Sequence, residues 1–316
     1  MTTWRASSSL EAPDLAEMTP LAGGYSGRTF VSTAYGEQVV VRIYPPGDQR
    51  GPAAPEVDAA VLRLVRGLVP VPDVLEVRRE DDRAPGLLVT SWVPGERGDL
   101  VVEQVAPTDE AAWRSLGDAL GTVAATLAGM PFLGPGAFVD SELTLEPLPG
   151  GDLADWVGSR LSTWPRPRVE RLQGLAREAQ GLLDTCRRTC LVHSDLNPKN
   201  VLVHADPARD GSVVVAGVVD WEFAHAGHPW TDLGNLLRFE RQPAYVEAVL
   251  AAWAGLRGGR PDELLDGARA ADLWALADLA SRAGTNPGAN PVADRAAAVL
   301  GAIADAGDLH AWPGLA

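Results

Sequence analysis

Through the first third of the chain, apolar and polar residues fall into short strand-like runs, which then give way to helical spacing. Residues 18–23 and 28–34 read as strands on either side of GGYSG, and the run Gln38-Val-Val-Val-Arg-Ile-Tyr44 is rich in β-formers. The segment PPGDQRGPAAP ends that run. Over residues 56–67 the apolar positions Val57, Val61, Leu64 and Val65 follow a helical period, after which VPVPDVLEVRRE and LLVTSWV return to strand character. Strands, one helix and strands again predict a small α+β lobe that closes near Pro94-Gly95. Beyond it, helical patterns cover 110–129, 152–161, 168–186 and several Ala-rich stretches within 244–306. One β-rich interruption, residues 191–221, breaks the helical half, and 131–151 and 257–261 read as connecting loops. The expected division is 1–94 and 95–316, with no internal repeat.

The interruption concentrates polar chemistry. In HSDLNPKN, Asp195 is followed five residues later by Asn200, and the apolar VLV behind them anchors the turn on a hairpin. The next strand, Val213-Val-Val-Ala-Gly-Val-Val, ends in Asp220-Trp-Glu222-Phe. Two strands thus deliver a carboxylate, an amide and a second carboxylate to one end of a hairpin. Phosphoryl transfer uses such a kit: an Asp orients or deprotonates the attacking hydroxyl, and Asn and Asp oxygens hold Mg²⁺ against nucleotide phosphates. A plain Asx-type surface turn would use the same residues, but the D-x-E on the following strand and the glycine-rich segment near the N-terminus favour the kinase reading.

Composition narrows the partners. With 316 residues, 46% of them hydrophobic, the chain can bury a substantial core. No apolar run approaches the ~18 to 20 residues of a membrane span, and the start MTTWRASSSLEAPD carries no leader pattern, so a cytoplasmic location is expected. The net charge of −15 argues against a nucleic-acid partner. Residues 1–95 hold twelve acids and nine bases, a net of −3, which leaves −12 for the rest; that half could draw in a cationic small molecule, although a solvated acidic surface gives the same count. Cys186 and Cys190 read as packing residues rather than a disulfide framework. A monomer or weak dimer is expected.

At this point the chain resembles the aminoglycoside phosphotransferase family, the small-molecule branch of the protein-kinase-like fold, and the resemblance covers nearly all of it. LAGGYSGRTF is similar to the hairpin that covers the nucleotide, LLVTSWVPG to the interlobe hinge, HSDLNPKN to the catalytic loop, VVDWEFA to the metal-binding strand end and GHPWTDLGNLLRF to the helix that follows. The resemblance implies an α+β, bilobal fold: a small N-terminal antiparallel-sheet lobe with one helix that binds nucleotide, and a larger, mainly helical C-terminal lobe. It makes Asp195 the catalytic Asp, His193 a support for its loop, and Asn200 and Asp220 the Mg²⁺ ligands, with Glu222 binding a second metal or its water shell. Gly24, Ser26 and Gly27 would admit the phosphates of ATP or GTP. Adenine would bond to the backbone of Ser91 and Val93, with Thr90 behind it. Asp232 would accept hydrogen bonds from the catalytic-loop backbone.

One position departs from the family's common pattern. The third strand of such folds presents a Lys to the α- and β-phosphates, yet of 27 basic residues here only Lys199 is a lysine. VVVRIY offers Arg42 in that slot, as in some antibiotic-phosphorylating members, with Asp58 or Glu56 as its expected partner. Lys199 reads as a contact to the γ-phosphate side or to loop carbonyls, or as a solvated turn lysine. Three functions compete: an ATP- or GTP-dependent O-phosphotransferase that inactivates an antibiotic (aminoglycoside, basic peptide or macrolide); a metabolic kinase for a sugar, amino sugar or amino alcohol; and a catalytically silent nucleotide-binding module. Expected acceptor liners are Asp140, Glu142, Trp156, Trp164, Glu240 and Trp274. A protein kinase is disfavoured, because VDWEF replaces the D-F-G triplet and no A-P-E segment follows.

Overall fold

The computed structural model describes residues 18–21, 28–34, 36–148, 151–206, 212–284 and 290–313. Strands β1 (Thr19–Pro20), β2 (Arg28–Ala34), β3 (Glu37–Tyr44), β4 (Val74–Arg78) and β5 (Gly86–Ser91) form one antiparallel sheet in the order β1-β2-β3-β5-β4. Alternation sorts the faces of this sheet: Val39, Val41, Leu87 and Val89 make one small core. Helix α1 (Ala54–Val65) carries Pro55 in its first turn, where the missing N–H costs nothing, and buries Val57, Val61, Leu62 and Val65 against β4 and β5. That face runs on into the core of the larger lobe.

After β5 the chain makes β6 (Glu96–Arg97), α2 (Gly98–Gln104) and α3 (Glu110–Leu127), the last capped by Asp109, whose carboxylate accepts from Ala112 N at 3.1 Å. The region expected to be a loop, 131–151, instead holds β7 (Pro131–Phe132), β8 (Gly136–Phe138) and β9 (Leu145–Glu146). These strands are two or three residues long, too short to show a period; β7 pairs with residues 189–190 and β8 with residues 225–226, far along the chain, and β9 pairs with β8. Helices α4 (Leu153–Arg160) and α5 (Arg166–Leu183) follow, then β10 (Thr189–Val192), the hairpin β11 (Val201–Asp206) and β12 (Ser212–Val218), and β13 (His225–Gly227). The chain ends in α6 (Thr231–Leu237), α7 (Pro243–Arg257), α8 (Pro261–Ser281) and α9 (Pro291–Ala306). A second sheet has the order β7-β10-β13-β8-β9, and β6 extends the hairpin as β12-β11-β6.

Helices α3 and α7 pack on each other in the main core, whereas α4, α5, α8 and α9 enclose a separate one. No helix among the described residues is long and apolar enough to cross a membrane. Cys186 and Cys190 are free thiols, and burial pushes the Cys190 thiol up to about 12, which leaves it an inert packing group.

Candidate active site

The register of the β11–β12 hairpin builds the site. Val201 lies opposite Val218, so Asn200 and Val219 meet just beyond the ladder, where Val219 N donates to Asn200 O at 2.9 Å, and Asp220 follows at once. Asn197 starts the turn: its Oδ1 accepts from Lys199 N at 3.0 Å and caps the short helical turn Pro198–Asn200. Helix α2 lies directly beneath, and a Cβ on Gly98 would come within 2.8 Å of Pro198 O, so glycine is required for that approach. Gly217 plays a similar part at the hinge, where a Cβ would meet Val93 Cγ1 at 2.9 Å.

The Asp195 carboxylate is held on both oxygens. Asn197 Nδ2 donates to Oδ1 at 2.9 Å, and Asn200 Nδ2 donates to Oδ2 at 2.8 Å; each amide also reaches Asp195 O at 2.9 Å. Asn200 spends its amide nitrogen there, which leaves its carbonyl oxygen as the ligand it can offer a cation. The role of Asn197 was missed in the sequence, although an Asn before Pro is a turn signal. His193 is fully buried, its Nε2–H donating to Val219 O at 3.0 Å and its Nδ1 accepting from Asp195 N at 3.3 Å, with Trp221 stacked at 4.6 Å. Asp232 accepts from His193 N and Ser194 N, both at 2.9 Å, and burial pushes its carboxyl upward against the pull of His193 and those N–H groups. Ser194 (φ 67°) and Asp220 (φ 65°) both occupy the left-handed region, a cost that surrounding contacts must offset and that clusters where a site needs a side chain aimed.

Arg42 crosses to the same point from β3. Its Nη1 binds Asp220 Oδ1 at 2.8 Å, and its Nη2 binds Glu222. The expectation that Arg42 pairs with Asp58 or Glu56 is therefore corrected. Asp58 accepts instead from Tyr44 Oη at 2.6 Å and from Arg50 Nη1 at 2.7 Å, whereas Glu56 faces Arg79 at 3.4 Å. The reason is reach: Asp is a methylene shorter than Glu, and Arg50, on the loop before α1, fills the gap. Arg50 also donates to Glu222 O at 3.1 Å, so it ties α1 to the turn after β12; the signal in the sequence was a lone base inside PPGDQRGPAAP. Burial works against the Arg42 charge, but Asp220, then Tyr44, Glu222 and Asp58, more than offset it and hold the guanidinium above its ordinary range. Burial, and then Asp58, likewise keep the Tyr44 phenol protonated.

At the hinge, Thr90 is buried, and Ser91 N already donates to Asp73 O at 2.9 Å, so Ser91 can offer a base only its carbonyl. Lys199 sits half-buried on the catalytic turn. Gly24, Ser26 and Gly27 lie outside the described residues. Among the described residues no group of three His, Cys, Asp or Glu has metal-site geometry. A cation here would need Asn200, Asp220, Glu222 and phosphate oxygens together, a donor set that suits Mg²⁺, which takes one or two carboxylates and keeps phosphate and water ligands.

The expected acceptor liners are less promising. Asp140 and Glu240 direct carboxylate oxygens at backbone N–H groups of their own turns, and Trp156 donates to Trp274 O at 2.9 Å while stacking on its ring.

Comparison with known proteins places the fold and the family. The fold is similar to that of a GDP complex of an aminoglycoside 2′-phosphotransferase-IIIa variant, with TM-score 0.58 and 16% identity over 93% of this chain and 86% of that one. It is similar also to a Plasmodium vivax ethanolamine kinase, with TM-score 0.52 and 10% identity over 93% of this chain and 77% of that one. In sequence, 70 residues, 22% of this chain, are 34% identical to acyl-CoA dehydrogenase family member 11 of Mus musculus; the match spans 8% of that protein's length. Residues 17–262 match the phosphotransferase enzyme family (APH), and the chain therefore belongs to it.

Proposed function

We propose that the chain is a nucleoside-triphosphate-dependent O-phosphotransferase that moves the γ-phosphate of ATP or GTP to a hydroxyl of a small molecule. The observation that carries this reading is the Asp195 carboxylate, oriented on both oxygens by Asn197 and Asn200 at the hairpin end that also presents Asp220. In the reaction, the acceptor hydroxyl donates to an Asp195 carboxylate oxygen, which aims its lone pair at the phosphorus and takes its proton as the new O–P bond forms, while the bond from the γ-phosphorus to the β–γ bridging oxygen breaks and ADP or GDP leaves. Asp232 and His193 keep the loop rigid while this happens. Arg42 supplies fixed positive charge from the small lobe, residues 1–94, and the Ser91 carbonyl with the Val93 N–H brackets the adenine edge, Thr90 behind it. Mg²⁺, held by Asn200 and Asp220 with help from Glu222, would neutralise charge on the phosphates. Lys199 is an accessory on the large lobe, residues 95–316. We place the protein in the cytoplasm as a monomer or weak dimer.

For the acceptor, the reading taken from the family is an antibiotic: an aminoglycoside, a basic peptide or a macrolide. Its cationic version rests on the charge of the second half alone. A metabolic acceptor is the second reading, favoured by a group of arginines beyond α6 described below. A panel of aminoglycosides, tuberactinomycins, macrolides, sugars and choline, screened for acceptor-dependent ADP or GDP release, tests both; no release with any hydroxylated compound would remove the kinase reading.

Arg42→Ala is expected to raise the nucleotide KM and to lower kcat/KM by about 2–3 kcal/mol, the loss of a charge-assisted contact. Arg42→Lys should keep part of the activity, because charge survives while the planar fork does not. Lys199→Ala should cost less, mainly in kcat. Steady-state kinetics decide: an unimpaired Arg42→Ala enzyme beside a dead Lys199→Ala enzyme would hand the phosphate-binding role to the lysine.

A further inference from the structure

Beyond the catalytic loop, a polar chain leads into a second charged cluster. Asp232, which holds the loop, receives Asn235 Nδ2 at 3.4 Å; Asn235 Oδ1 in turn accepts from Arg238, and Arg238 is clamped by Asp272 at 2.7 to 3.2 Å. Arg238 and Asp272 are 5% and 2% exposed, a buried pair that neutralises itself. Around it stand three further guanidinium groups with no carboxylate partner within salt-bridge distance among the described residues. Arg269 is 5% exposed; it donates to Leu237 O, and its Nε has no hydrogen-bond partner among the described residues. Arg241 is half-buried over the Trp312 ring at 4.4 Å, and its Nε is likewise unpartnered. Arg295 is exposed, stacked on Phe239 at 4.8 Å, and donates to Phe239 O at 2.7 Å.

Among the described residues, the nearest acids form no salt bridge with these three arginines. Asp272 is committed to Arg238, and Glu240 turns its Oε1 to the backbone N–H of Arg241 and Gln242. Burial, then the charge of Arg241, pushes Arg269 down to about 9 against the pull of Asp272, and burial lowers Arg241, with Arg295, against the pull of Asp272 and Glu240. A guanidinium stays charged in proteins, and the buried Nε atoms of Arg241 and Arg269 have no hydrogen-bond partner among the described residues, which an anion would supply. The three arginines grade from buried through half-buried to exposed, so the cluster opens to solvent. Helix α6, seven residues long, spans only ~10 Å from Asp232, whose carboxylate holds the backbone of His193 and Ser194, to the start of the cluster.

We propose that Arg241, Arg269 and Arg295, with the ring faces of Phe239 and Trp312, form an anion-binding subsite that takes a carboxylate or phosphate group of the acceptor. This rests on the kinase reading and narrows it: the acceptor is a hydroxylated anion with an apolar or planar body, and a polycation is disfavoured. The forked donors match a carboxylate or phosphate in two bonds, and the aromatic rings hold the forks in place.

The test uses the full chain, its nucleotide site saturated with Mg²⁺ and a non-hydrolysable ATP analogue so that the probes cannot enter it. Glycerate, glycerol and serinol, an anion, a neutral molecule and a cation of one size, are titrated by calorimetry into the parent and into Arg241→Gln, Arg295→Gln and the surface control Arg168→Gln. Glycerate should bind at least about tenfold more tightly than the other two, and each of the first two variants should lose about that factor, while Arg168→Gln binds like the parent. Arg269→Gln is left out because its burial invites unfolding. Equal binding of the three probes, or glycerate affinity unmoved by Arg241→Gln and Arg295→Gln, overturns the subsite. Turnover of neutral or cationic acceptors that both variants leave intact overturns it too and spares the kinase. Charge-selective binding that the variants abolish, with no ADP release from any acceptor when ATP replaces the analogue, upholds the subsite and removes the kinase.

Discussion

Asp195→Asn is expected to lower kcat by about two to four decades, the usual size of an acid–base or positioning contribution, with nucleotide affinity close to that of the parent. The substitution keeps the shape of the side chain and removes its ability to take a proton. It also sets an amide N–H against Asn197 Nδ2 or Asn200 Nδ2, both of which donate to the present carboxylate. One of those contacts must turn away, so a stability loss of about 1–3 kcal/mol is expected, visible as a lower Tm. Single-turnover kinetics beside nucleotide titration separate these effects. Turnover within threefold of the parent would mean that another group orients the hydroxyl.

Asp220→Ala should abolish Mg²⁺-dependent nucleotide binding in its productive pose, because it removes the anionic ligand at the strand end. Two side effects follow from the structure. Arg42 loses one of its carboxylate partners, and an alanine must adopt φ 65°, at a cost of about 1–2 kcal/mol that Asp bears more easily. Asp220→Asn, which tolerates the left-handed region, therefore serves as the companion: it should restore the Tm lost in the alanine variant without restoring the Mg²⁺ dependence. Tight Mg²⁺-nucleotide binding and unaltered turnover in both variants would overturn the assignment of Asp220.

Much of this was legible before any coordinates. Strands β2, β3 and β5 and helices α1, α3, α4 and α5 fall within a few residues of their expected bounds, because their apolar residues repeat at the period of the element they form; β4 is shorter than expected, and residues 22–23 of the first expected strand lie outside the described residues. The order HSDLNPKN, then Val-Val-Asp-Trp-Glu, was enough to place Asp195, Asn200 and Asp220 at one hairpin end, since a hairpin's register follows from local pattern and turn. The strands β7, β8 and β9 were not legible. Runs of two or three residues carry no period, and each is a strand only through partners it meets in the folded chain.

The charged pairings divide along the same line. An Asp and an Asn five residues apart in one turn are neighbours by chain geometry, so their contact could be read from their spacing. Arg42 and Asp220 are 178 residues apart, and whether Arg42 met Asp58, Glu56 or the strand-end carboxylates depended on how the lobes pack. The same holds for Arg50 reaching Glu222, and for the arginines gathered beyond α6 from α8, α9 and the α6–α7 connection. The sequence by itself determined which residue types stand at the turn and which segments form helices and strands. Tertiary packing alone decided which opposite charges are neighbours, because an ion pair between distant segments forms only where the burial of the cores behind it brings the two side chains within a few ångströms.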